Sequence, residues 1–165
     1  MKTVYLGLGS NIGERIAYIE EAVKCIKEIR NTEFETASRL YETEPWGVTS
    51  ENNYLNCVVK IRTSLKAEEL MTEVKQLEKK LGRTENIRWS DREIDIDILF
   101  YGDEIVRNET VIIPHSFIEK RKFVLVPLSE IAGDFIHPEL NKSIRDLLNE
   151  TDDKLKVEPY KTVKI

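Results

Sequence analysis

The stretch Gly82–Gly102, GRTENIRWSDREIDIDILFYG, is the most informative part of the sequence for predicting the fold. From Ile94 onward its residues alternate, and this predicts a strand, because successive strand side chains point to opposite faces. The predicted core face carries Ile94, Ile96, Ile98 and Phe100. The opposite face carries Asp95, Asp97, Leu99 and Tyr101. The strand therefore presents two carboxylates on one surface of a sheet.

Two carboxylates at this spacing indicate a metal site. Residues two apart on one strand lie roughly 7 Å from each other. Asp95 and Asp97 can therefore hold a pair of hard cations about 4 Å apart, as two-metal phosphoryl transfer requires. Arg83, Arg88 and Arg92 lie just upstream and would neutralise a polyphosphate. The alternative is a solvated strand face, but Asp is depleted in strands, which favours a metal or phosphate site.

Composition limits the class of protein. The chain has 165 residues, 41% hydrophobic and 33% charged, which predicts one globular domain over residues 1–165. The tail from Thr151 is charged and is expected to be frayed and mobile. A net charge of −5 argues against nucleic acid as a partner. Local basic clusters at 79–92 and 120–122 suit a small anionic ligand better.

The expected compartment is the cytoplasm. Cys25 and Cys57 have neither disulfide nor metal-ligand spacing, which is typical of packing residues in a reducing compartment. The N-terminus does not resemble a signal peptide, and no apolar run reaches the length of a membrane span. We therefore expect no membrane partner.

Periodicity predicts a ferredoxin-like α+β fold. The predicted elements are a strand over 3–8, a helix from Asn11 to about Ile29, strands over 34–41 and 54–63, and a helix capped by Ser64 and closed by Gly82. With the strand after Ile94, the order is the split βαβ arrangement. Two helices should cover one face of an antiparallel sheet and leave the other for ligands. Later elements are strand pieces near 105–106 and 111–113, an apolar run over 124–128 and a small helix over 143–148.

Several aromatic residues lie beside loops, outside a clear core pattern. Trp46, Tyr54, Trp89 and Phe123 would stack on a flat heteroaromatic ligand, although ordinary core packing explains each one equally well. Asn56 shares a strand face with Tyr54, and its amide offers a donor and an acceptor to a base-like edge. The pattern indicates a heteroaromatic substrate.

Two further polar residues are candidates for the site. Glu78 lies near the end of the second helix, although a solvated residue paired with a lysine explains it as well. His115 follows a proline at a strand end and can donate to phosphate, although a lone histidine is more often structural. No Ser-His-Asp or Cys-His arrangement is evident, so covalent catalysis is not expected.

These motifs together resemble one enzyme family, the 6-hydroxymethyl-7,8-dihydropterin pyrophosphokinases. The similar segments are LGLGSNIGER, YETEPWG, YLNCVV, LGR…RW…R.IDIDIL.YG and IPH…R.FVL.PL.EIA…HP, and they span Val4 to about Pro138. The resemblance implies a ferredoxin-like fold and a monomer. It also implies transfer of a pyrophosphoryl group from ATP to the pterin hydroxymethyl group, with release of AMP, in folate biosynthesis.

The resemblance also implies a role for each matching residue. Asp95 and Asp97 would hold two Mg²⁺ ions, with Arg83 and Arg92 as the other catalytic residues. The positions that surround ATP would be Glu78, Arg83, Trp89, Arg92, Ile98, His115 and Arg121. Tyr54 and Phe123 would sandwich the pterin, while Asn56 and the backbone near Thr43 and Trp46 would read its edge. The loops 44–53 and 82–92 would close over the substrates.

The chain departs from the family pattern in the second of these loops and after His115. Ser90-Asp91 replaces a usual Gly-Pro, Glu85 replaces a frequent arginine, and Ser116 replaces a frequent proline or aromatic residue. We expect weaker loop closure or weaker ATP binding without loss of activity.

Two other functions stay open. Nucleotidyl transferases and cyclases also use alternating aspartates on such a sheet, but they release pyrophosphate from ATP. A non-catalytic regulatory module of the same fold is the other alternative, although it needs neither both aspartates nor the arginines.

Overall fold

The computed structural model describes residues 1–47, 50–82 and 92–160. In chain order the helices and strands are β1 (Lys2–Ser10), α1 (Arg15–Lys27), β2 (Thr32–Ala37), β3 (Tyr41–Thr43), β4 (Tyr54–Thr63), α2 (Ala67–Lys80), β5 (Asp95–Tyr101), β6 (Val106–Arg107), β7 (Ile112–Ile113), α3 (Lys122–Ala132), α4 (Ile144–Glu150) and β8 (Val157–Pro159).

The main sheet has the strand order β5-β1-β4-β3-β8, and β2 also pairs with β4. Every pairing in it is antiparallel among the residues that the structure describes. In this order β1 lies between β4 and β5, as the split βαβ fold requires. The predicted ferredoxin-like α+β class is therefore confirmed. None of the helices in the described ranges has the length and hydrophobicity of a membrane span.

The sheet separates two hydrophobic clusters. On one face α1 and α2 pack against the sheet through fully buried residues such as Leu6, Ile19 and Leu70. On the other face α3 and α4 cover Tyr5 and Phe100, whereas the sequence analysis expected that face to be free of helices. The apolar run 124–128 belongs to α3. Helix α3 covers only part of this face of the sheet. The part of the sheet that is left uncovered, next to the first turn of α3, forms the floor of a cavity.

A β-bulge changes the predicted alternation in β5. Leu6 pairs with Ile98 and Tyr5 pairs with Phe100, so Leu99 is an extra residue in the ladder. After the bulge the phase of the strand reverses. Phe100 therefore packs on the α3 side and Tyr101 on the α1 and α2 side, so the predicted faces of these two residues are wrong. The two aspartates precede the bulge and keep their predicted face.

Two predicted helix caps are also wrong. The first helix begins at Arg15, and Asn11 lies outside it. The second begins after Lys66, whose backbone N–H donates to Glu69 Oε2 at 2.8 Å, so Ser64 is not its cap. The glycine that ends this helix is correctly predicted, since Gly82 has a φ of +97°, which suits glycine.

Two strand predictions also need correction. The strand predicted over 34–41 is divided into β2 and β3, which pair with different parts of β4. The tail from Thr151 contains a strand, because the backbone of β8 pairs with β3. Pro159 is tolerated there because β8 lies at the sheet edge.

Candidate active site

The cavity has a volume of about 320 Å³, which suits a small ligand. It lies over the ends of β1, β4 and β5, between the loop after β3 and the first turn of α3. Its lining residues are Gly7, Leu8, Gly9, Thr43, Glu44, Trp46, Tyr54, Asn56, Cys57, Val58, Arg92, Asp95, Asp97, Leu99, His115, Arg121, Phe123 and Val124.

One end of the cavity is acidic, and cations surround it. Arg92 Nη1 donates to Asp95 Oδ2 at 2.8 Å, and His115 Nε2 lies 3.8 Å from Asp97 Oδ2. Burial raises the pKa of Asp97, and the negative charge of Asp95 raises it further. The Asp97 side chain nevertheless keeps 37% of its surface accessible from the cavity. The Asp97 carboxylate lies close to a second negative charge and is accessible from the cavity, and both properties favour the binding of a cation.

The donor set fits Mg²⁺ in particular. Within residues 1–47, 50–82 and 92–160, no cluster of three or more His, Cys, Asp or Glu side chains could hold a metal. Asp95 and Asp97 are two carboxylates at this end of the cavity that could hold a cation together. Mg²⁺ usually binds through one or two carboxylates and completes its shell with water and substrate phosphate. A cation would also relieve the repulsion between the two carboxylates.

Arg121 connects the acidic end to the aromatic end. Its Nη1 lies 3.2 Å from His115 Nδ1, which itself lies 3.0 Å from the Ser116 carbonyl oxygen. The arginine requires an acceptor at Nδ1 and the carbonyl requires a donor, so the ring satisfies one partner at a time. Burial lowers the pKa of Arg121, but a guanidinium stays charged at neutral pH. Its Nε is buried and has no hydrogen-bond partner.

The other end of the cavity is a slot with aromatic walls. The rings of Trp46 and Phe123 are 6.5 Å apart and tilted by 52°. The Arg121 guanidinium lies 4.8 Å from the Trp46 ring centre and 6.0 Å from that of Phe123. Tyr54 lines the same cavity. The structure thus brings Phe123 together with Trp46 and Tyr54, which lie about 70 or more positions before it in the sequence.

A polar pair lies at the base of this slot. Asn56 is 7% exposed, and its amide nitrogen donates to Thr43 Oγ1 at 2.6 Å. Opposite it, β1 carries Gly9, where an added Cβ would lie only 2.7 Å from Asn56 Oδ1. The glycine therefore leaves the space that the amide occupies. Asn56 presents a fixed donor and acceptor to whatever enters the slot.

Most of the chain matches a known protein family. Residues 5–133, well over half of the chain, match the family model described as 7,8-dihydro-6-hydroxymethylpterin-pyrophosphokinase. The chain belongs to this family.

Two curated relatives are similar over most of their length, and a third over less than half of its length. A 2-amino-4-hydroxy-6-hydroxymethyldihydropteridine pyrophosphokinase of Aquifex aeolicus is 47% identical over 146 residues, covering 88% of this chain and 90% of that protein. The protein of the same name from Haemophilus influenzae is 41% identical, covering 84% of this chain and 86% of its own. The Lactococcus lactis bifunctional protein FolKE is 35% identical, but only 45% of it is covered.

Solved structures share the fold at low sequence identity. A Plasmodium falciparum HPPK-DHPS in complex with SDX-DHP has a TM-score of 0.71 and 17% identity. Another HPPK-DHPS in complex with substrates has a TM-score of 0.70 and 14% identity. The matches cover 90% of this chain but only 44% and 43% of those chains, respectively.

Two of the predicted ATP residues have side chains outside the cavity lining. Glu78 is 1% exposed, and its carboxylate accepts the Ile96 backbone N–H at 2.7 Å while pairing with Lys75 at 3.0 Å. Burial raises the pKa of Glu78, an effect that Lys75 opposes and Asp95 reinforces. Ile98 has its side chain in the core. Arg83 and Trp89 lie outside the described residues, as do Glu85, Arg88 and Ser90-Asp91.

Asn11 positions Arg92, and it is not among the site residues predicted from the sequence. Asn11 is buried; its side-chain Oδ1 accepts the Arg92 backbone N–H at 2.7 Å, and its own N–H donates to the Arg92 carbonyl oxygen at 3.1 Å. These two bonds fix the start of β5 against the end of β1. The pattern that suggested a helix cap at Asn11 gave no indication of this role, because the partner lies about 80 residues away.

Proposed function

We propose that this cavity is the active site in which pyrophosphate passes from ATP to 6-hydroxymethyl-7,8-dihydropterin. As a member of its family, the chain is a pyrophosphokinase that acts on small-molecule substrates, with ATP as co-substrate, and it belongs to folate biosynthesis. One observation supports the residue assignment most strongly: a single cavity joins the Asp95 and Asp97 carboxylates to an aromatic slot with a fixed amide.

The pterin occupies the aromatic slot. Tyr54 and Phe123 bind its two ring faces, because flat heteroaromatic rings stack well between aromatic side chains. Asn56, whose amide is held by Thr43 at 2.6 Å, pairs with the amide edge of the pterin, together with the backbone near Thr43 and Trp46. The hydroxymethyl group then points towards the acidic end of the cavity.

The acidic end receives the polyphosphate. Asp95 and Asp97 hold two Mg²⁺ ions, which supply charge neutralisation to the phosphates. Arg92, whose guanidinium lies 2.8 Å from Asp95, is placed to contact phosphate oxygens, and we assign the same role to Arg83 from its sequence position. His115 and Arg121 complete this end of the cavity, since His115 Nε2 lies 3.8 Å from Asp97 Oδ2 and Arg121 Nη1 lies 3.2 Å from His115 Nδ1.

The strand β5 contributes to nucleotide binding through its backbone. Glu78 binds the Ile96 N–H at 2.7 Å, so the odd-numbered neighbours Asp95 and Asp97 are held on the cavity face. Ile98 lies two residues after Ile96 on β5, so its backbone N–H and C=O groups point to the same side of the strand as those of Ile96, away from β1. We propose that these backbone groups of Ile98, together with the Trp89 side chain, bind ATP.

The arrangement suits phosphoryl transfer. Such a reaction depends on alignment and on electrostatic stabilisation of the transferred group more than on a strong base. The site supplies both, through a rigid slot for the acceptor and a ring of carboxylates and cations for the donor. We further propose that the protein acts as a monomer without nucleic acid, and that it is cytoplasmic, since Cys25 and Cys57 are both free thiols.

Product analysis tests the proposed function. With MgATP and 6-hydroxymethyl-7,8-dihydropterin, we expect AMP and pterin pyrophosphate in equal amounts. Formation of ADP, or release of free pyrophosphate, would instead indicate an ordinary kinase or a nucleotidyl transferase. No turnover by a folded, ligand-binding protein would favour the regulatory module.

Variants of the two aspartates test their assignment. Asp95→Asn and Asp97→Asn should each lower kcat/KM by about a thousandfold, because metal-assisted charge stabilisation contributes several kcal/mol. Asp103→Asn is the matched control, since Asp103 is an exposed carboxylate just beyond β5. Equal activities in all three variants would contradict the metal assignment.

A further inference from the structure

We propose that the tail segment, residues 151–160, is a positioning element for the pterin slot, and that Asp153 is its main positioning residue. This inference rests on the proposed function, since it concerns the slot assigned to the pterin. The two walls of the slot come from the loop after β3 and from the start of α3. The tail segment contacts both.

Asp153 holds the first turn of α3. Its Oδ2 accepts the backbone N–H of Lys122 at 2.9 Å, and its Oδ1 accepts that of Leu155 at 2.9 Å. Lys122 is the first residue of the helix, directly between Arg121 and Phe123. The helix lacks a side-chain cap from its own N-cap residue, and Asp153 satisfies one of the first-turn N–H groups that have no partner within the helix.

Three residues further along, the tail segment binds the other wall. The Lys156 backbone N–H donates to Glu44 Oε2 at 2.8 Å, and the Glu44 N–H donates to the Lys156 carbonyl oxygen at 3.2 Å. The next residue, Val157, pairs with Thr43 in the β3–β8 ladder. These bonds hold the chain two residues before Trp46, at the point where it leaves the sheet.

The end of the tail segment is linked to the far end of the same loop through Arg15. The Tyr160 N–H donates to the Leu40 carbonyl oxygen at 2.9 Å, and the Tyr160 ring lies 5.7 Å from the Arg15 guanidinium. Arg15 in turn donates to the Asn53 carbonyl oxygen at 2.7 Å, next to Tyr54. The tail segment therefore binds the start of the loop at Glu44 directly and its end through Arg15.

These contacts fix the distance between the two walls. The Trp46 and Phe123 rings lie 6.5 Å apart, although the two residues are 77 positions apart in the chain. A ten-residue segment with hydrogen bonds to both elements restricts their relative movement. Loss of one of its anchors should weaken pterin binding more than ATP binding. Both walls of the slot are bonded to the tail segment, whereas at the phosphate end Arg121 lies beside one of its anchors and the two carboxylates lie on β5.

Substitution of Asp153 tests this inference. Asp153→Ala should raise the KM for the pterin about three- to tenfold, as loss of a helix cap predicts, and should raise the KM for ATP less, because Arg121 lies beside Lys122 but the Asp95 and Asp97 carboxylates lie on β5. Asp153→Asn keeps one of the two acceptor oxygens, so its KM for the pterin should lie between those of the wild type and of Asp153→Ala. Asp152→Ala removes the exposed neighbouring carboxylate and is the matched control. Equal pterin KM values for Asp153→Ala and Asp152→Ala would overturn the inference.

Hydrogen exchange on the wild-type protein gives a second test that does not depend on a folded variant. If the tail segment strengthens pterin binding, reciprocity requires that the pterin strengthen the contacts of the tail segment. Pterin alone should therefore slow amide exchange in residues 151–160 and at Lys122, and exchange unchanged there would overturn the inference. Formation of AMP by the wild-type protein is measured in parallel. Its absence would refute the proposed function, whereas normal AMP formation with unchanged exchange would refute the tail role alone.

Discussion

Replacement of Gly9 by alanine tests the pterin slot with the smallest possible change. An added Cβ at this position would lie 2.7 Å from Asn56 Oδ1 and 3.7 Å from Tyr54 Cδ1. The amide oxygen would have to withdraw to at least 3.4 Å to reach an ordinary contact distance. Asn56 is buried and bonded to Thr43, so its short side chain cannot move without a loss of alignment.

The Gly9→Ala substitution should weaken pterin binding much more than ATP binding. Misalignment of a buried amide leaves one or two of its hydrogen bonds to the substrate unmade, and each such group costs about 1–3 kcal/mol. The KM for the pterin should therefore rise about five- to a hundredfold. The KM for MgATP should change little, because its proposed ligands lie at the other end of the cavity. The backbone should tolerate alanine, since Gly9 lies within the regular β1–β4 ladder.

Steady-state kinetics with either substrate varied will measure the effect, together with calorimetric titration of the pterin. Gly7→Ala is the matched control, because the three atoms nearest to its added Cβ all belong to the apolar Leu99 side chain, the first at 3.3 Å. We expect less than about a threefold change for this control, since a flexible leucine can adjust. An unchanged pterin KM in Gly9→Ala, or an equal rise in both variants, would refute the assignment of Asn56 as the residue that reads the pterin edge.

Two further predictions concern the pH dependence of stability and Glu85, one of the positions at which the loop 82–92 departs from the family pattern. Burial lowers the pKa of His137 below its usual value, and its Nδ1 accepts the N–H groups of Glu139 and Leu140 at 3.2 and 3.3 Å. The unfolded chain therefore binds this proton more readily. The free energy of unfolding should fall by up to about 1.4 kcal/mol per pH unit below pH 6.5 from this group. His137→Asn keeps an acceptor and should reduce that slope in urea unfolding; identical slopes would contradict the prediction. Glu85→Arg should strengthen ATP binding severalfold by restoring a phosphate contact, and an unchanged affinity by titration would refute the role given to that departure.

The elements that form by local periodicity were predictable from the sequence. The strand with Asp95 and Asp97 was placed correctly, because its alternation extends over several residues and one face is buried. The long β4 strand was placed correctly over Tyr54–Thr63 for the same reason. The fold class followed from the order of these elements.

The features that depend on distant partners were not predictable. The bulge at Leu99 arises from its pairing with β1, so the alternating pattern alone could not show that Phe100 and Tyr101 exchange faces. The strand β8 is held by backbone bonds to β3, which any sequence can make, and its charged side chains indicated a frayed tail. Asn11 resembled a helix cap locally, but its bonds to Arg92 depend on the whole sheet.

The most direct test of this account is a crystal structure with Mg²⁺, 6-hydroxymethyl-7,8-dihydropterin and a non-hydrolysable ATP analogue. We expect two metal ions bound between Asp95, Asp97 and the phosphates. The pterin should lie between Tyr54 and Phe123, with its amide edge on Asn56. A pterin outside this slot, or metal ions without contact to both aspartates, would contradict the account.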